Sequence, residues 1–273
     1  MSNYNWIDGN DFSIRHFYLM DRWLLAMIFQ PFNGCDPEKL GTHARTLGTL
    51  LDRHRDLVFV IKKRAPEASD GVDKLLKVAE ATLPDKELRK REIALLEAYE
   101  TDVVYTEPRI METSCNYIYA WEEKHLHALC DLNGKVVLDL GAGTGRLTFA
   151  AAKIAKRVYA SEPVDRLREH MRMRIQTEDQ KNIRVQDGIV TAIPHEDDTF
   201  DVVMCGHVVG DDYEAELTEM TRVCRPGGHL VICNGDDDIK RAHPDSELTS
   251  RGFKAHYHKS TVGGDIYNYT KQV

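Results

Sequence analysis

A glycine-rich bend that follows a short apolar stretch is the part of the sequence best suited to hold a ligand. Val136 to Leu140 predicts a short buried strand, and glycines follow at positions 141, 143 and 145. Glycine has no Cβ and tolerates positive φ, so a ligand can approach the backbone at such a bend. Arg146 to Ala155 predicts a helix whose first N–H groups point back at the bend. Strand, glycine bend and helix together are typical of the nucleotide-binding start of a doubly wound α/β sheet.

Alternating strands and helices continue from this stretch to the end of the chain. Strands are predicted over residues 157–161, 182–185, 200–205 and 229–233, and helices over residues 164–176 and 212–224. Two short segments, residues 253–258 and 265–269, predict an antiparallel hairpin at the sheet edge. Residues 131–273 therefore predict a three-layer α/β domain. The four arginines of the second helix are expected to form a solvated face: Arg166, Arg168, Arg172 and Arg174.

Residues 1–130 predict helices. Arg15 to Ile28 is one candidate, and Asp36-Pro37-Glu38 has the residues of a helix start. Apolar residues at helical spacing between Leu40 and Ile61 predict the next helix. Residues 70–83, 85–99 and 110–130 predict three more, the last carrying Tyr117, Tyr119 and Trp121.

Composition limits the function classes. A length of 273 residues suffices for one large domain, or for one domain and a smaller one. The net charge of −8 argues against a nucleic-acid partner. Six scattered cysteines without a C-x-x-C pair favour free thiols over disulfides or a metal site. We find no signal peptide and no apolar segment long enough to cross a bilayer, so we expect a cytoplasmic protein with no membrane partner.

Five motifs in order carry a family resemblance. They are Val137 to Gly145, Ser161-Glu162-Pro163, Gln186 to Ile189, Phe200 to Cys205, and Arg222 to Gly228. Residues 136–273 resemble the class I S-adenosylmethionine-dependent methyltransferases, with a catalytic domain like methyltransferase type 11. The resemblance implies a doubly wound, seven-stranded, mostly parallel Rossmann-like sheet with an N-terminal helical extension. It also implies S-adenosylmethionine as cofactor and methyl transfer as the activity.

The resemblance assigns roles to particular residues. Glu162 is expected to accept hydrogen bonds from the ribose hydroxyls, and Asp187 from the adenine amino group. Asp139 is expected to be buried and to hold the N–H groups of the glycine bend. Cys205 is placed at the cofactor, although packing inside the domain is the better interpretation of its thiol. The full predicted cofactor set is Asp139, Gly141, Ala142, Gly143, Gly145, Glu162, Pro163, Asp187, Gly188, Ile189 and Cys205.

A dinucleotide site is the nearest rival, because it uses the same strand, bend and helix. Its fingerprint is G-x-G-x-x-G. Here Arg146 stands at the third glycine position, where it obstructs the close approach that a diphosphate needs. The turn Pro226-Gly227-Gly228 fits the methyltransferase pattern and has no role in the dinucleotide one. The sequence therefore favours S-adenosylmethionine.

The acceptor side leaves alternatives open. His207 lies just after the fourth strand, and its ordinary pKa suits a general base that takes a proton from the acceptor. The alternative is a loop histidine that lines the pocket without catalysing. In the family that the chain resembles, an Asn-Pro-Pro-Tyr stretch at this position marks the members that methylate nucleic-acid bases or amide nitrogens. No such stretch follows this strand, so the resemblance argues against those acceptors. We expect a small-molecule acceptor, with oxygen, nitrogen or carbon as the methylated atom.

The sequence predicts a division into residues 1–110 and residues 111–273. The first part matches no family that we can name, and we expect a lid, a substrate region or a homodimer surface there. Tyr117, Tyr119 and Trp121 either line the pocket mouth or pack against the sheet. After the fifth strand only the short acidic segment from Asn234 to Ser250 remains for substrate choice. A non-catalytic methyltransferase-like scaffold and a protein methyltransferase stay open as alternatives.

Overall fold

The computed structural model describes residues 4–236 and 241–273, so Asp237 and Asp238 of the acidic segment lie outside the described residues. The chain divides into two compact units, Met1–Ile110 and Met111–Val273. None of the helices in the described part is long and apolar enough to cross a membrane.

The first unit is helical. Its α-helices are α1 (Arg22–Phe29), α2 (Thr42–Arg53), α3 (Arg55–Arg64), α4 (Ser69–Lys77), α5 (Asp85–Ala98) and α6 (Glu100–Val103), and α7 (Pro108–Ser114) begins at its end. Single 3₁₀ segments lie between or before them: Gly9–Asp11, Ile14–Leu19, Gln30–Phe32, Pro37–Lys39, Pro66–Ala68 and Val104–Thr106.

Two glycines allow the helices of this unit to approach closely. A Cβ at Gly48 of α2 would lie 2.1 Å from the carbonyl oxygen of Leu75 in α4. A Cβ at Gly71 of α4 would lie 2.1 Å from the carbonyl oxygen of Phe29 at the end of α1. Larger residues would push these backbones apart, so the glycines set the spacing of the helical core.

Several predicted helices are interrupted. The predicted helix over residues 15–28 is a 3₁₀ segment followed by α1, because the Asp21 carboxylate accepts the Leu24 N–H at 3.1 Å and caps a new helix. The apolar spacing between Leu40 and Ile61 spans α2 and α3, which separate at His54 (φ −124°, ψ 64°). Asp36 does cap a helical turn, but that turn is only the 3₁₀ segment Pro37–Lys39.

The predicted helix over residues 110–130 is also wrong as a single element. It consists of the end of α7, then α8 (Asn116–Tyr119) and α9 (Lys124–His127). Cys115 is extended (φ −81°, ψ 114°) and breaks the helix before α8. Pro108 begins α7 because proline is well suited to a first helical position.

The second unit is built on a seven-stranded sheet. Its strands are β1 (Val136–Leu140), β2 (Arg157–Ser161), β3 (Ile183–Gln186), β4 (Phe200–Cys205), β5 (Cys224–Ile232), β6 (Lys254–Lys259) and β7 (Asp265–Gln272). Its further helices are α10 (Arg146–Ala152), α11 (Asp165–Thr177), α12 (Tyr213–Val223) and α13 (Ser246–Ser250). The strand order is β3-β2-β1-β4-β5-β7-β6. Strands β1 to β5 pair in parallel, and β7 pairs antiparallel with β5 and β6. The predicted fold class and edge hairpin are therefore confirmed.

The carboxyl ends of the central strands are aligned. Leu140 pairs with Ser161 of β2 and with Cys205 of β4, and Ser161 pairs with Gln186 of β3. The strand order reverses between β1 and β4. In open α/β sheets, ligands bind beyond the carboxyl ends at such a reversal. The segments that leave these strand ends therefore form the candidate site.

Two hydrophobic clusters cover the faces of the sheet. One joins β1 and β2 to α10 and includes Val137, Val158, Leu147 and Ala151. The other joins β4 and β5 to α12 and includes Val203, Leu230 and Met220. Burial on both faces explains why the central strands are almost continuously apolar. Ile154, predicted on the buried face of α10, instead lies beyond the end of that helix and is 41% exposed.

Candidate functional site

The glycine bend uses its three glycines in two different ways. Their φ values are 60° at Gly141, 59° at Gly143 and 94° at Gly145. A Cβ at Gly141 would lie 2.4 Å from Cγ2 of Val208, and one at Gly145 would lie 2.6 Å from Cε2 of Phe149. These two glycines make room for protein side chains, a role that the sequence did not predict, and their contact with a ligand stays a prediction. Gly143 is open, since the nearest atom to its Cβ position is 3.8 Å away.

The Glu162 carboxylate lies beside the open glycine. Its Oε2 accepts the Gly143 N–H at 2.8 Å, and its Oε1 accepts the Val164 N–H at 2.9 Å. The residue is buried, with 4% of its surface exposed. A carboxylate accepts several hydrogen bonds and donates none, which is the chemistry that ribose hydroxyls require of a partner. The ribose role of Glu162 stays a prediction, and the structure adds a structural role at the bend.

Asp187 follows β3 as predicted, but its carboxylate faces solvent. Its side chain is 76% exposed, and its Oδ1 accepts from Arg168 Nη1 at 3.2 Å. Arg168 also donates to the carbonyl oxygens of Glu162 at 2.7 Å and Pro163 at 2.6 Å. The Arg168 side chain is only 14% exposed, so the predicted solvated face is wrong for this arginine. The sequence missed its role because four arginines on one helix resemble an ordinary surface.

Asp139 is buried under the bend and does not contact its N–H groups. Its Oδ2 accepts from Thr148 Oγ1 of α10 at 2.5 Å, which corrects the expected partner. Burial raises the pKa of Asp139 to about 7, and the Thr148 hydroxyl and the Arg146 charge limit that rise. A carboxyl at 1% exposure ties β1 to α10 and supports the bend from below.

The other predicted cofactor residues differ in how they could serve a ligand. The Ala142 N–H donates to the Ser161 carbonyl oxygen at 3.0 Å, so it fixes the bend to β2. Ile189 is 40% exposed and lies after Gly188 at the end of β3. Cys205 is fully buried in the cluster over β4, and burial raises the pKa of its thiol. The side chain of Cys205 therefore packs inside the domain, as the sequence favoured, and a cofactor contact of this residue stays a prediction.

His207 has a conformation and a contact that limit its chemistry. It has a positive φ of 60°, and its Nε2 accepts the Gly235 N–H at 2.8 Å. Its ring centroid lies 5.2 Å from that of Tyr117. Because Nε2 accepts the Gly235 N–H, it would have to release that hydrogen bond before it could take a proton from an acceptor. The geometry favours the alternative in which His207 lines and positions the site.

The aromatic residues before the sheet have separate positions within the second unit. Tyr117 contacts His207, and the Trp121 ring lies 4.8 Å from Cζ of Arg146. Tyr119 is 51% exposed and donates to Asn116 Oδ1 at 2.6 Å. Tyr117 and Trp121 are therefore near the strand ends, and Tyr119 is a surface residue. Arg146 is a second residue whose contacts at this edge the sequence did not predict.

Comparison with known proteins identifies the domain. Residues 137–228 match the family described as "Methyltransferase domain". That segment runs from β1 into β5, and it contains the glycine bend, Glu162 and Asp187. Residues 137–228 are a methyltransferase domain, and this match supports the class I S-adenosylmethionine-dependent methyltransferases that the five motifs resemble. The predicted family and the type of cofactor are thus confirmed for this segment. The open Cβ position of Gly143 and the carboxylate of Glu162 beside it fit such a cofactor.

Individual relatives resemble the methyltransferase domain over part of the chain. Demethylmenaquinone methyltransferase of Lactococcus lactis subsp. lactis (strain IL1403) is 30% identical over 142 residues, which are 50% of this chain and 54% of the relative. The enzyme of the same name from Clavibacter sepedonicus is 32% identical over 115 residues, or 41% of this chain and 46% of the relative. The chain thus spans about half the length of these curated relatives.

A solved structure gives a fold-level likeness. The crystal structure of a SAM dependent methyltransferase from Aquifex aeolicus is 20% identical, with a TM-score of 0.46. The match covers 55% of this chain and 88% of that one.

Proposed function

We propose that this protein transfers a methyl group from S-adenosylmethionine to an oxygen, nitrogen or carbon atom of a small molecule. One observation carries the proposal. An acidic side chain at the end of β2 accepts an N–H from the open glycine of the β1 bend, where the strand order reverses. This places an uncovered stretch of backbone and a carboxylate side by side, as an adenosine-containing ligand requires.

The residues of the site divide the binding task. Gly143 leaves space against backbone, and the buried Glu162 carboxylate beside it is the proposed acceptor for the ribose hydroxyl groups. The exposed apolar side chain of Ile189 and the carboxylate of Asp187 follow β3, and they suit the face and the amino group of a purine. When bound, S-adenosylmethionine supplies an electrophilic methyl on its sulfonium sulfur. The chain must then hold an acceptor in line with that methyl and exclude water.

The segment after β4 is the proposed acceptor side. The Glu216 carboxylate accepts the Gly210 N–H at 2.9 Å and the Asp212 N–H at 3.2 Å, which orders the loop between β4 and α12. Val208 of this loop contacts the glycine bend, and His207 contacts Tyr117. An apolar and aromatic surface of this kind suits a small organic acceptor. The Lactococcus lactis relative is named a demethylmenaquinone methyltransferase, so demethylmenaquinone belongs in the acceptor panel.

Two alternative functions must be distinguished from this proposal by experiment. A non-catalytic scaffold would bind through the helices of residues 1–110, and a protein methyltransferase would use the same cofactor site on a protein acceptor. We propose the small-molecule activity over both because a complete glycine motif together with Glu162 and Asp187 would have no use in a scaffold, and because the loop after β4 is short. The helices of residues 1–110 are proposed to serve as a lid, a substrate region or a homodimer surface, with no nucleic-acid partner.

The decisive experiment is calorimetric titration of the full chain with S-adenosylhomocysteine, and with NAD in a separate run. A Gly143→Ala variant should weaken S-adenosylhomocysteine binding by about tenfold or more, since a Cβ fills the open space. Gly134→Ala is the matched control, because Gly134 also has positive φ (67°) and has nothing within 4 Å of its Cβ position. Binding of NAD but not of S-adenosylhomocysteine would overturn the proposal.

Turnover then separates the functions that share the cofactor. Amines, phenols, carboxylic acids and demethylmenaquinone are incubated with the protein and methyl-labelled S-adenosylmethionine. Label in a small molecule supports the proposal. Label that enters only proteins of an added cell extract supports the protein methyltransferase, and binding without any label transfer supports the scaffold.

A further inference from the structure

Arg146 brings a positive charge to the edge of the sheet where the methyltransferase domain binds its ligands. It is the first residue of α10, directly after the glycine bend. Its Nη2 donates to the carbonyl oxygen of Cys233 at 3.0 Å, just beyond β5. Its Cζ lies 4.8 Å from the centroid of the Trp121 ring. The guanidinium therefore lies near the carboxyl ends of β4 and β5.

The charge of Arg146 is not fully matched by the protein. In the part of the chain that the structure describes, its Nη1 atom is buried and has no hydrogen-bond partner. The Asp139 carboxyl interacts electrostatically with the Arg146 guanidinium, but the hydrogen bond that it accepts comes from Thr148. Burying a cation without a partner is unfavourable, so a free donor in such a position indicates that an anionic group completes it.

Gly206 provides the space in which the guanidinium lies. A Cβ at this position would be 2.4 Å from Arg146 Nη2 and 2.6 Å from the Cys233 carbonyl oxygen. Gly206 follows β4 and is not among the glycines with positive φ. Glycine is therefore needed at this position for space and not for backbone conformation, because a side chain would displace Arg146 from the end of β4.

We propose that Arg146 binds the carboxylate of a ligand at this edge of the sheet, a proposal that rests on the proposed function above. Guanidinium and carboxylate match in charge and in donor geometry, and Nη1 is the donor still available. Two ligands of a methyltransferase could present a carboxylate. One is the amino-acid part of the cofactor, and the other is an acidic acceptor.

The test compares S-adenosylhomocysteine with 5′-methylthioadenosine, which has the same purine, ribose and sulfur but no amino-acid part. Both are titrated by calorimetry into the full chain and into Arg146→Gln and Arg146→Lys variants. Benzoate is then titrated into the same proteins saturated with S-adenosylhomocysteine. Arg172→Gln is the matched control, because Arg172 lies on α11 with 45% of its side chain exposed.

Each outcome has a defined meaning. If the cofactor supplies the carboxylate, Arg146→Gln weakens S-adenosylhomocysteine by about tenfold or more and leaves 5′-methylthioadenosine within about twofold, with Arg146→Lys between. If the acceptor supplies it, both adenosine ligands keep their affinity and benzoate binding is lost in Arg146→Gln.

Equal weakening of both adenosine ligands in Arg146→Gln and Arg146→Lys overturns the proposal, because a structural role predicts that result. Unchanged binding of all three ligands overturns it as well. Failure of the unmodified protein to bind either adenosine ligand refutes the proposed function itself, and the inference with it. Should Arg146→Gln not fold, the Arg146→Lys variant decides, since it keeps the charge but not the geometry of the guanidinium.

Discussion

Replacing Glu162 with glutamine tests how the site is held together. The carboxylate of Glu162 accepts one backbone N–H through each oxygen, from Gly143 at 2.8 Å and from Val164 at 2.9 Å. Glutamine has one acceptor oxygen, and its NH₂ group would face the second N–H. The variant should therefore lose one charge-assisted hydrogen bond and leave one buried donor unpaired.

The size of the effect follows from these two bonds. A hydrogen bond to a charged group contributes about 1.5–3 kcal/mol, and the residue is almost fully buried, so little solvent screening applies. We expect Glu162→Gln to lower the local stability of the bend by about 2–3 kcal/mol. If Glu162 receives the ribose hydroxyls as proposed, cofactor affinity should also fall by about tenfold, because that charge is lost.

Hydrogen exchange measured by mass spectrometry reads the bend directly. The Gly143 and Val164 amides should exchange faster in Glu162→Gln than in the unmodified chain. Titration with S-adenosylhomocysteine gives the change in affinity. The control is Glu169→Gln, on α11, whose side chain is 65% exposed and lies 3.9 Å from Arg172. If the two variants behave alike in both measurements, Glu162 does not hold the bend and its assignment to the cofactor is wrong.

Two further predictions concern His207 and Asp139. With an acceptor found in the panel, His207→Ala should reduce turnover more than it reduces S-adenosylhomocysteine affinity. His207→Gln should keep most of the turnover, because the glutamine oxygen can accept the Gly235 N–H. If His207 were a general base, turnover would be lost in both variants. Because burial raises the pKa of Asp139 to about 7, the folded state binds more protons than the unfolded state between about pH 4 and 7, and stability falls as the pH rises through that window. In urea unfolding at several pH values, Asp139→Asn should weaken this decline, and an unchanged slope would show that Asp139 is not the group responsible.

The sequence alone predicted the strands of the sheet and their order along the chain, although β5 begins at Cys224 and includes the predicted turn at Pro226-Gly227-Gly228. β1, β2 and β4 begin and end where the apolar runs predicted. Central strands buried on both faces need continuous apolar residues, and glycine or polar residues stop them sharply. The glycine bend after β1 and the carboxylate after β2 could be predicted because each directly follows the end of an apolar strand. The hairpin at the edge was visible from its two short segments around a glycine pair.

The helices of residues 1–130 were predicted less well. Breaks at Asp21, His54 and Cys115 divide what periodicity predicted as continuous helices. Helical spacing survives a short break, so a pattern of apolar residues cannot show where one helix ends and the next begins. The break at Asp21 is a local cap on Leu24, and those at His54 and Cys115 are non-helical backbone conformations that apolar periodicity does not reveal.

Only the tertiary structure decided how the site residues are used. Gly141 and Gly145 accommodate Val208 and Phe149, whereas the Cβ position of Gly143 is open. Arg168 binds the end of β2, although its sequence surroundings resemble a solvated helix face. The physical reason is that side-chain space and hydrogen-bond partners come from segments brought together by folding. Residue type and spacing state what a side chain could do, and its neighbours in space determine which of those contacts it makes.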